Sequence, residues 1–301
     1  LTVRASDIVL AASISNILSA NNLTLQASAG DISINSAFAW DSNNTLTLAA
    51  YRNITISAPV TLSGASAKLN IYANAASSTP NYIFGDYVGN GSGSGSIAIN
   101  APITVDGSSG AVTLDASAIS DISTSGVTFG IDAKLNFTAY NLASGLPTGS
   151  LNINGHAYSL YRTLAQLDNL DGDDATKISI TAGNAIISLG YLALVADIDA
   201  SGTTYYRSLL GRDWDNRIDS IQFDGLGHKI SNLHMDVYTP VGGVSPPSMY
   251  ANGLFGVMIE YSGRSTLANL GLSNVNMTLS GRSGALIGEQ QGDIIVSACY
   301  T

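Results

Sequence analysis

Four acidic residues stand close together in the second half of the chain: Asp213, Asp215, Asp219 and Asp224. Enzymes that cleave glycosidic bonds use paired carboxyl groups as acid, base or nucleophile, so this cluster raises the hypothesis of a polysaccharide-degrading site. Spacing along the chain does not establish that two carboxylates converge in space. Arg212 and Arg217 stand beside these acids in a turn-rich stretch. We therefore predict a turn-rich linker here, with no catalytic residues.

Residues 168–174 form a second acidic stretch, with four aspartates and one asparagine. Their oxygens suit calcium, but a calcium loop closes with a bidentate acid at a fixed position, and none follows here. We interpret the stretch as a solvated turn. His228 and His234 would share one face of a strand, yet a zinc site needs a third ligand and supporting partners. We predict neither a metal site nor a cofactor site.

Three aromatic residues, Tyr82, Phe84 and Tyr87, fall in an insertion near residues 74–96. Repeat proteins place insertions as loops, often on a binding face. Aromatic rings in such a loop can stack on sugar rings, which makes these three residues candidate ligand contacts. The alternative is that the rings fold back onto the outer face of a sheet.

Short aliphatic triplets recur along the first part of the chain and must position these loops. One set is Leu23–Leu25, Leu46–Leu48 and Leu69–Ile71, at a constant interval of 23 residues; the interleaved set is Ile32–Ile34, Ile54–Ile56 and Ile97–Ile99. The outer residues of each triplet are aliphatic and the middle one is polar or small, as in a strand with one buried face. A fixed period of this length is typical of repeat architectures, whose units bury their apolar faces on one another. No helix of useful length fits between the triplets, so successive copies must stack as parallel strands.

The sequence thus predicts an all-β fold, a right-handed parallel β-helix (β-solenoid) with one short helix and loop insertions. The hand follows from the crossover rule for parallel strands. We expect residues 1–150 to form a β-helix shaft, with the insertion near 74–96 outside the coils. Residues 151–301 should continue the β-helix, with a short helix near 162–169, where leucines have helical spacing.

Composition limits the classes of function. Charged residues make up 11% of the chain and the formal net charge is −10. Without a cluster of Lys or Arg, we expect binding neither to nucleic acid nor to anionic lipid. No apolar run approaches the roughly 20 residues that cross a bilayer, so we expect no membrane insertion. The only cysteine, Cys299, can form no internal disulfide, and the repeat pattern is under way at Leu1 and still running at Thr301, as expected of a piece of a longer protein.

An ordered set of glycine-rich motifs fills the second half. Its residues are Asp197, Asp199, Gly225, Gly227, His228, Gly253, Gly256, Gly284 and Gly288. The set resembles the GLUG-type repeats of large bacterial surface exoproteins. The first 150 residues are similar to the shafts of filamentous-haemagglutinin-like and high-molecular-weight adhesins of the two-partner secretion class. The glycines fit corners at which stacked backbones approach closely.

The resemblance implies a protein that is secreted or displayed on the outer surface of a Gram-negative bacterium. It also implies export through an outer-membrane transporter of the two-partner type. The expected function is that of a virulence-associated adhesin segment, a rigid shaft that mediates or presents attachment to host cells, surfaces, or an extracellular glycan or protein ligand. Asp197 and Asp199 would be corner residues that bond backbone amides, and His228 would be structural. Two alternatives remain open: a β-helical enzyme that degrades polysaccharide, and a passive structural spacer.

Overall fold

The computed structural model describes residues 1–10, 13–73, 95–116, 126–172, 174–176, 185–237, 251–260, 264–278 and 281–301. Tyr82, Phe84 and Tyr87 therefore lie outside the described residues. The chain divides into two compact units, unit 1 (Leu1–Leu160) and unit 2 (Tyr161–Thr301). The sequence analysis placed the boundary between the two parts of the chain after residue 150, whereas unit 1 ends at Leu160.

Unit 1 is built from very short strands and one short helix. In chain order they are β1 (Thr2–Ala5), β2 (Ile8–Leu10), α1 (Ile14–Leu18), β3 (Leu23–Ala27), β4 (Ile32–Ile34), β5 (Phe38–Trp40), β6 (Thr45–Ala50), β7 (Ile54–Ile56), β8 (Val60–Leu62), β9 (Lys68–Tyr72), β10 (Ile97–Ile99), β11 (Ile103–Val105), β12 (Ala111–Asp115), β13 (Val127–Phe129), β14 (Leu135–Phe137), β15 (Ser150–Ile153) and β16 (His156–Tyr161).

These strands form three parallel stacks, and each full coil contributes one strand to each stack. The stacks run β1-β3-β6-β9-β12-β15, β2-β4-β7-β10-β13 and β5-β8-β11-β14. A chain that returns to the same three faces on every turn is a parallel β-solenoid. The predicted fold class is therefore confirmed, while the right-handed sense of the coil stays a prediction.

The aliphatic triplets form the dry interior. Leu23, Leu46, Leu69, Val112 and Leu151 stack in one column, in register from coil to coil. Each is at most 2% exposed. Burial of one such side chain contributes about 2 kcal/mol, so columns of this kind account for the cohesion of the stack.

Polar side chains at the corner before the second stack tie each coil to the next. Asp7 Oδ1 accepts a hydrogen bond from the backbone amide of Asp31 at 3.0 Å, and Asp31 Oδ1 accepts from the amide of Asn53 at 2.9 Å. Asn53 Oδ1 in turn accepts from the amide of Ser96 at 3.1 Å. These bonds satisfy amides where the chain leaves one sheet and enters another.

Unit 1 contains two features that the sequence prediction missed. The first is α1, a second short helix where only one helix was predicted in the whole chain. It follows β2 and contacts β5, so it stands where the first coil would otherwise supply a strand. Ile14 and Leu18, four residues apart, are its buried face. This spacing was a visible helical signal.

The second missed feature is the antiparallel pairing of β15 with β16, where parallel stacking was expected throughout. Asn154 (φ 49°) and Gly155 (φ 84°) connect the two strands. A two-residue Asn-Gly connection with positive φ at both positions makes the chain reverse as a tight hairpin. Local turn chemistry thus overrides the repeat at this point.

Unit 2 contains the helix α2 (Leu164–Asp168), which lies within the predicted range 162–169. Its strands are β17 (Ala185–Ile187), β18 (Gly190–Leu194), β19 (Ile198–Asp199), β20 (Thr204–Tyr205), β21 (Asn216–Ile218), β22 (Ile221–Asp224), β23 (Lys229–Ser231), β24 (His234–Asp236), β25 (Ala251–Asn252), β26 (Phe255–Ile259), β27 (Ser265–Ala268), β28 (Gly271–Ser273), β29 (Asn276–Thr278), β30 (Arg282–Ser283), β31 (Ile287–Gln291) and β32 (Ile294–Ser297).

The strands of unit 2 also pair in parallel, but they form more stacks than the strands of unit 1 do, and the stacks contain fewer strands. The stacks are β18-β22-β27-β32, β17-β21-β26-β31, β19-β23-β28, β20-β24-β29 and β25-β30. Phe223 and Phe255 meet edge to face in the core, with ring centroids 5.4 Å apart. Helix α2 is capped by Thr163, whose hydroxyl accepts a hydrogen bond from the Gln166 amide at 3.2 Å. Among the described residues, no helix is long and apolar enough to span a membrane.

Candidate functional site: a cleft beside helix α2

A cleft of about 300 Å³ opens on unit 2 between the start of α2 and the chain on either side of β19. Its lining combines charged, hydroxyl and apolar side chains. The lining residues are Arg162, Thr163, Leu164, Ala165, Asp197, Ile198, Asp199, Ala200, Thr203 and Tyr205. Of these ten residues, only Asp197 and Asp199 were named from the sequence as motif residues.

Two carboxylates stand on the outer side of the chain, one just before β19 and one on it, because side chains alternate along an extended chain. Ile198 is 8% exposed and points into the core, where it pairs in register with Ile230 of the next coil. Asp197 and Asp199, on either side of it, are exposed. The alternation therefore delivers two acids, two residues apart, to the same wall of the cleft.

Asp197 is held from behind by a fully buried histidine. The Nδ1 atom of His228 lies 3.1 Å from Asp197 Oδ1, and the His228 side chain has no exposed surface. The same oxygen accepts a hydrogen bond from the Lys229 backbone amide at 3.1 Å. The His228 amide itself donates to the Gly225 carbonyl at 2.8 Å. Two residues of the next coil, His228 and Lys229, thus fix the orientation of one carboxylate, and Gly225 holds the backbone of His228.

Asp199 belongs to a ladder of polar corner residues. Its Oδ1 atom accepts from the Asn232 side-chain amide at 2.8 Å and from the Ser201 backbone amide at 3.0 Å. Asn274, one coil further, donates its side-chain amide to Asn232 Oδ1. The bond from Asn232, followed by those from Ser201, lowers the pKa of the Asp199 carboxyl. Asp199 is therefore ionised across the neutral range.

The opposite parts of the cleft supply hydroxyl groups. Tyr205 is 5% exposed, and burial, together with the nearby charges of Asp168 and Asp174, raises the pKa of its phenol to about 12. The phenol therefore stays neutral. Leu164 and Ala165 bring the first turn of α2 to the wall, and Thr163 and Thr203 add hydroxyls. The site can donate and accept hydrogen bonds, whereas its apolar side chains Leu164 and Ile198 are almost wholly buried, at 3% and 8% exposure.

Three of the four acids first considered for catalysis divide between a turn and the core. Asp213 pairs with Arg212 at 2.9 Å and accepts hydrogen bonds from the amides of Asp215 and Asn216 at 2.9 Å and 2.8 Å. Asp224 has no exposed surface at all. Asp213 and Asp215 therefore belong to one self-bonded turn. The predicted turn-rich linker is wrong for Asp224, which ends strand β22 and is buried in the core.

The prediction of a solvated turn at residues 168–174 is wrong for Asp168, which ends α2, and for Asp171, because both are buried. Both oxygens of Asp168 accept the Ala175 amide at 3.1 Å, and Asp174 accepts the Thr176 amide at 3.0 Å. Within the ranges that the structure describes, no three His, Cys, Asp or Glu side chains come close enough together to hold a metal ion.

The glycines of the second-half motifs lie where neighbouring coils touch. A methyl group on Gly225 would stand 2.4 Å from the Asn269 carbonyl oxygen, and one on Gly256 would stand 2.2 Å from the Gly211 carbonyl oxygen. On Gly253 and Gly288 it would meet Gly284 O at 2.5 Å and Asn252 N at 2.4 Å. Gly227 adopts φ 80°. These positions are built for close approach of backbones.

No protein-family model, curated protein or solved structure matches this chain. The resemblance to bacterial surface exoproteins therefore stays a prediction from the motif residues. The sequence carried a signal for both acids of the lining, Asp197 and Asp199, but none for Arg162 or Tyr205. Arg162 lies in a different part of the coil path from the motif, and only the stacking brings it to the same cleft.

Proposed function

We propose that this chain is a segment of a bacterial adhesin, secreted or displayed on the outer surface of a Gram-negative cell, and that it forms a rigid shaft that mediates or presents attachment. The observation that carries the proposal is the in-register stacking of parallel strands within each unit. In such a stack each coil contacts only its neighbours, and the core can extend without a limit on its length. A shaft that projects from a cell surface needs a core that can be extended in this way.

The outer surface of the coils carries small, uncharged residues. Such a surface favours a protein exposed to water over one that binds polyelectrolytes. The middle residues of the triplets in the second stack of unit 1 are Ser33, Thr55 and Ala98, which are small and uncharged. The chain has a net charge of −10 and only 12 Lys and Arg residues. Its partners are therefore proposed to be host cells, surfaces, or extracellular glycan or protein ligands, and not nucleic acid.

Export through an outer-membrane transporter of the two-partner type belongs to the same proposal. The contacts of each coil are made with sequence neighbours: Leu23, Leu46 and Leu69 pair at intervals of 23 residues. A stack of this kind can grow coil by coil as the chain emerges. Its stacking needs no internal disulfide, because Cys299 is the only cysteine.

Attachment is tested on the complete chain, residues 1–301, coupled to beads. We expect these beads to adhere to host-cell monolayers or to immobilised glycans above albumin-coated beads. In parallel, cells that produce the parent protein are compared with cells whose parent lacks this segment. Equal adhesion and aggregation in both comparisons would reduce the chain to a passive spacer. Release of soluble oligosaccharide from a polysaccharide panel would instead favour an enzyme.

A further inference from the structure

A short hairpin, residues 139–148, lies on the surface of unit 1 between β14 and β15. Tyr140 and Pro147 pair across it in an antiparallel bridge. We propose that the tip of this hairpin inserts between the headgroups and acyl chains of an electrically neutral lipid surface. The inference rests on the proposed attachment function only for its setting, because the lipid contact itself would be a property of the hairpin.

The hairpin exposes apolar side chains, whereas the coils beside it bury theirs. Leu135 and Phe137 of β14 are 0% and 3% exposed, but Leu142, five residues later, is 90% exposed. Tyr140 and Leu146 are 45% and 41% exposed. Neighbouring apolar side chains in water mark a contact site more often than single ones do, since removing them from water is favourable.

Hydrogen bonds within the hairpin fix the shape of its tip. The side-chain oxygen of Asn141 accepts from the amides of Ala143 and Ser144, at 2.8 Å and 3.1 Å. The Asn141 amide donates to the Leu146 carbonyl at 2.9 Å, and its carbonyl accepts from the Gly145 amide at 2.7 Å. The tip is therefore formed before it meets a partner, and little conformational entropy is lost on binding.

The same bonds favour lipid over a protein pocket as the partner. An amide that enters a lipid surface without a hydrogen bond is costly, because the acyl chains offer no acceptor. In this hairpin the amides of residues 141, 143–146 and 148 are bonded internally, and Pro147 has no N–H. A protein pocket can supply acceptors of its own, so it does not need a loop that satisfies its own amides.

Charge decides which lipid surface fits. No Asp, Glu, Lys or Arg occurs between Lys134 and Arg162, so insertion of the hairpin desolvates no charge. The whole chain carries a formal net charge of −10 and is repelled by anionic headgroups. Tyr140, at the base of the hairpin, has an amphipathic ring of the kind that settles at a membrane–water interface. A zwitterionic surface, such as phosphatidylcholine, meets all three conditions.

The proposed contact stops at the interface. The hairpin comprises ten residues in two short arms, whereas a strand that crosses a bilayer needs about 9–11 residues by itself. The proposal departs from the expectation of no membrane insertion, which rested on the lack of a long apolar run. An interfacial contact requires only a few exposed apolar side chains on a structured loop.

Tryptophan fluorescence of the complete chain tests the contact. Leu142→Trp places a reporter at the tip, and Ile131→Trp is the matched control, because Ile131 is 94% exposed in the turn before β14. The probes are phosphatidylcholine vesicles with brominated acyl chains, which quench a Trp that touches the chains. After subtraction of the wild-type signal, we expect about half of the Leu142→Trp fluorescence to be quenched and the Ile131→Trp fluorescence to be unchanged. Equal quenching of both variants, or of neither, would overturn the proposal.

The native side chain is tested by sedimentation with the same vesicles without bromine. We expect wild type to partition about tenfold more strongly than Leu142→Asp, because a carboxylate at the tip must be desolvated. Ile131→Asp should partition like wild type. Equal partition of all three proteins would contradict insertion of the tip, and stronger binding after addition of phosphatidylserine would contradict a neutral surface.

The lipid contact and the attachment function fail separately. If Leu142→Asp abolishes bead adhesion while no protein contacts the vesicles, the hairpin binds a protein and the lipid proposal is wrong. If the tip is quenched while wild-type beads never adhere, the lipid contact stands and the adhesin function does not. If Leu142→Asp beads adhere as wild type does and vesicle contact fails, attachment stands without the hairpin.

Discussion

The side-chain amide of Asn269 donates to both carboxylate oxygens of the fully buried Asp224, at 3.0 Å and 3.2 Å. The Leu226 amide donates to the same carboxylate at 2.7 Å. Burial nevertheless raises the pKa of Asp224 from 3.8 to about 6, because these bonds only partly replace water around the charge. The corner between β22 and β23 thus contains an ionisable group that the folded state prefers to keep neutral.

This raised pKa predicts a stability that falls as pH rises. Between 3.8 and about 6 the folded chain binds more protons than the unfolded chain, so the free energy of unfolding decreases with pH through this window. The full effect of this carboxyl, about 3 kcal/mol, is present below the window and lost above it. Urea unfolding of wild type and Asp224→Asn at pH 4 and pH 8 measures it. Asp224→Asn is expected to remove most of the difference, whereas Asp215→Asn should leave it intact.

A core substitution in unit 1 tests the stacked columns. Ile56 is fully buried and pairs in register with Ile34 on one side and Ile99 on the other. We expect Ile56→Ala to lower the free energy of unfolding by about 3 kcal/mol, because the cavity is lined by side chains that cannot collapse into it. Thr55→Ala, on the outer side of the same strand, is the matched control and should cost under about 1 kcal/mol. Equal losses in denaturant unfolding would contradict an interior built from these columns.

A glycine at a coil corner tests how closely the backbones approach. A methyl group on Gly107 would lie 2.0 Å from the Gly64 carbonyl oxygen of the preceding coil. We expect Gly107→Ala to destabilise unit 1 by about 2 kcal/mol, because backbone must move to admit it. On Gly130 the nearest atom is Asn100 Oδ1, at 3.0 Å, in a side chain that can shift. The nearest backbone atom is Asn100 Cα, at 3.3 Å, so Gly130→Ala should cost clearly less than Gly107→Ala. Thermal melts that rank the two variants the other way would refute the stacking geometry at these corners.

Asn216 offers a stabilising substitution. Its side chain is fully buried, and both polar atoms of its amide lack a hydrogen-bond partner among the described residues. A buried amide without partners costs about 1–3 kcal/mol relative to an apolar group of similar size. We expect Asn216→Leu to raise the free energy of unfolding by about 1 kcal/mol. Asn216→Ala separates the removal of the amide from the filling of its space, and a loss of stability in Asn216→Leu would show that the amide has a role in the fold.

The repeat was predictable because each triplet carries its own signal. Leu46, Thr47 and Leu48 alternate as a half-buried strand whatever surrounds them, and the constant interval of 23 residues to Leu69 forces the stack. The helix near 162–169 was predictable for the same local reason. Helix α1 and the Asn154–Gly155 hairpin also had local signals, and they were missed because the repeat pattern was extended across them.

The sequence by itself determined the fold class and the positions of most corners, because period, alternation and turn residues act over a few neighbours. Only the tertiary structure decided that Arg162 and Thr203 share a cleft with Asp197. It also decided that Asp224 is buried in the core although it stands near other acids in the sequence. The physical reason is that stacking converts intervals along the chain into side-by-side contacts. Which side chains meet at a given rung therefore depends on the length of every insertion between them, and residue types alone do not fix it.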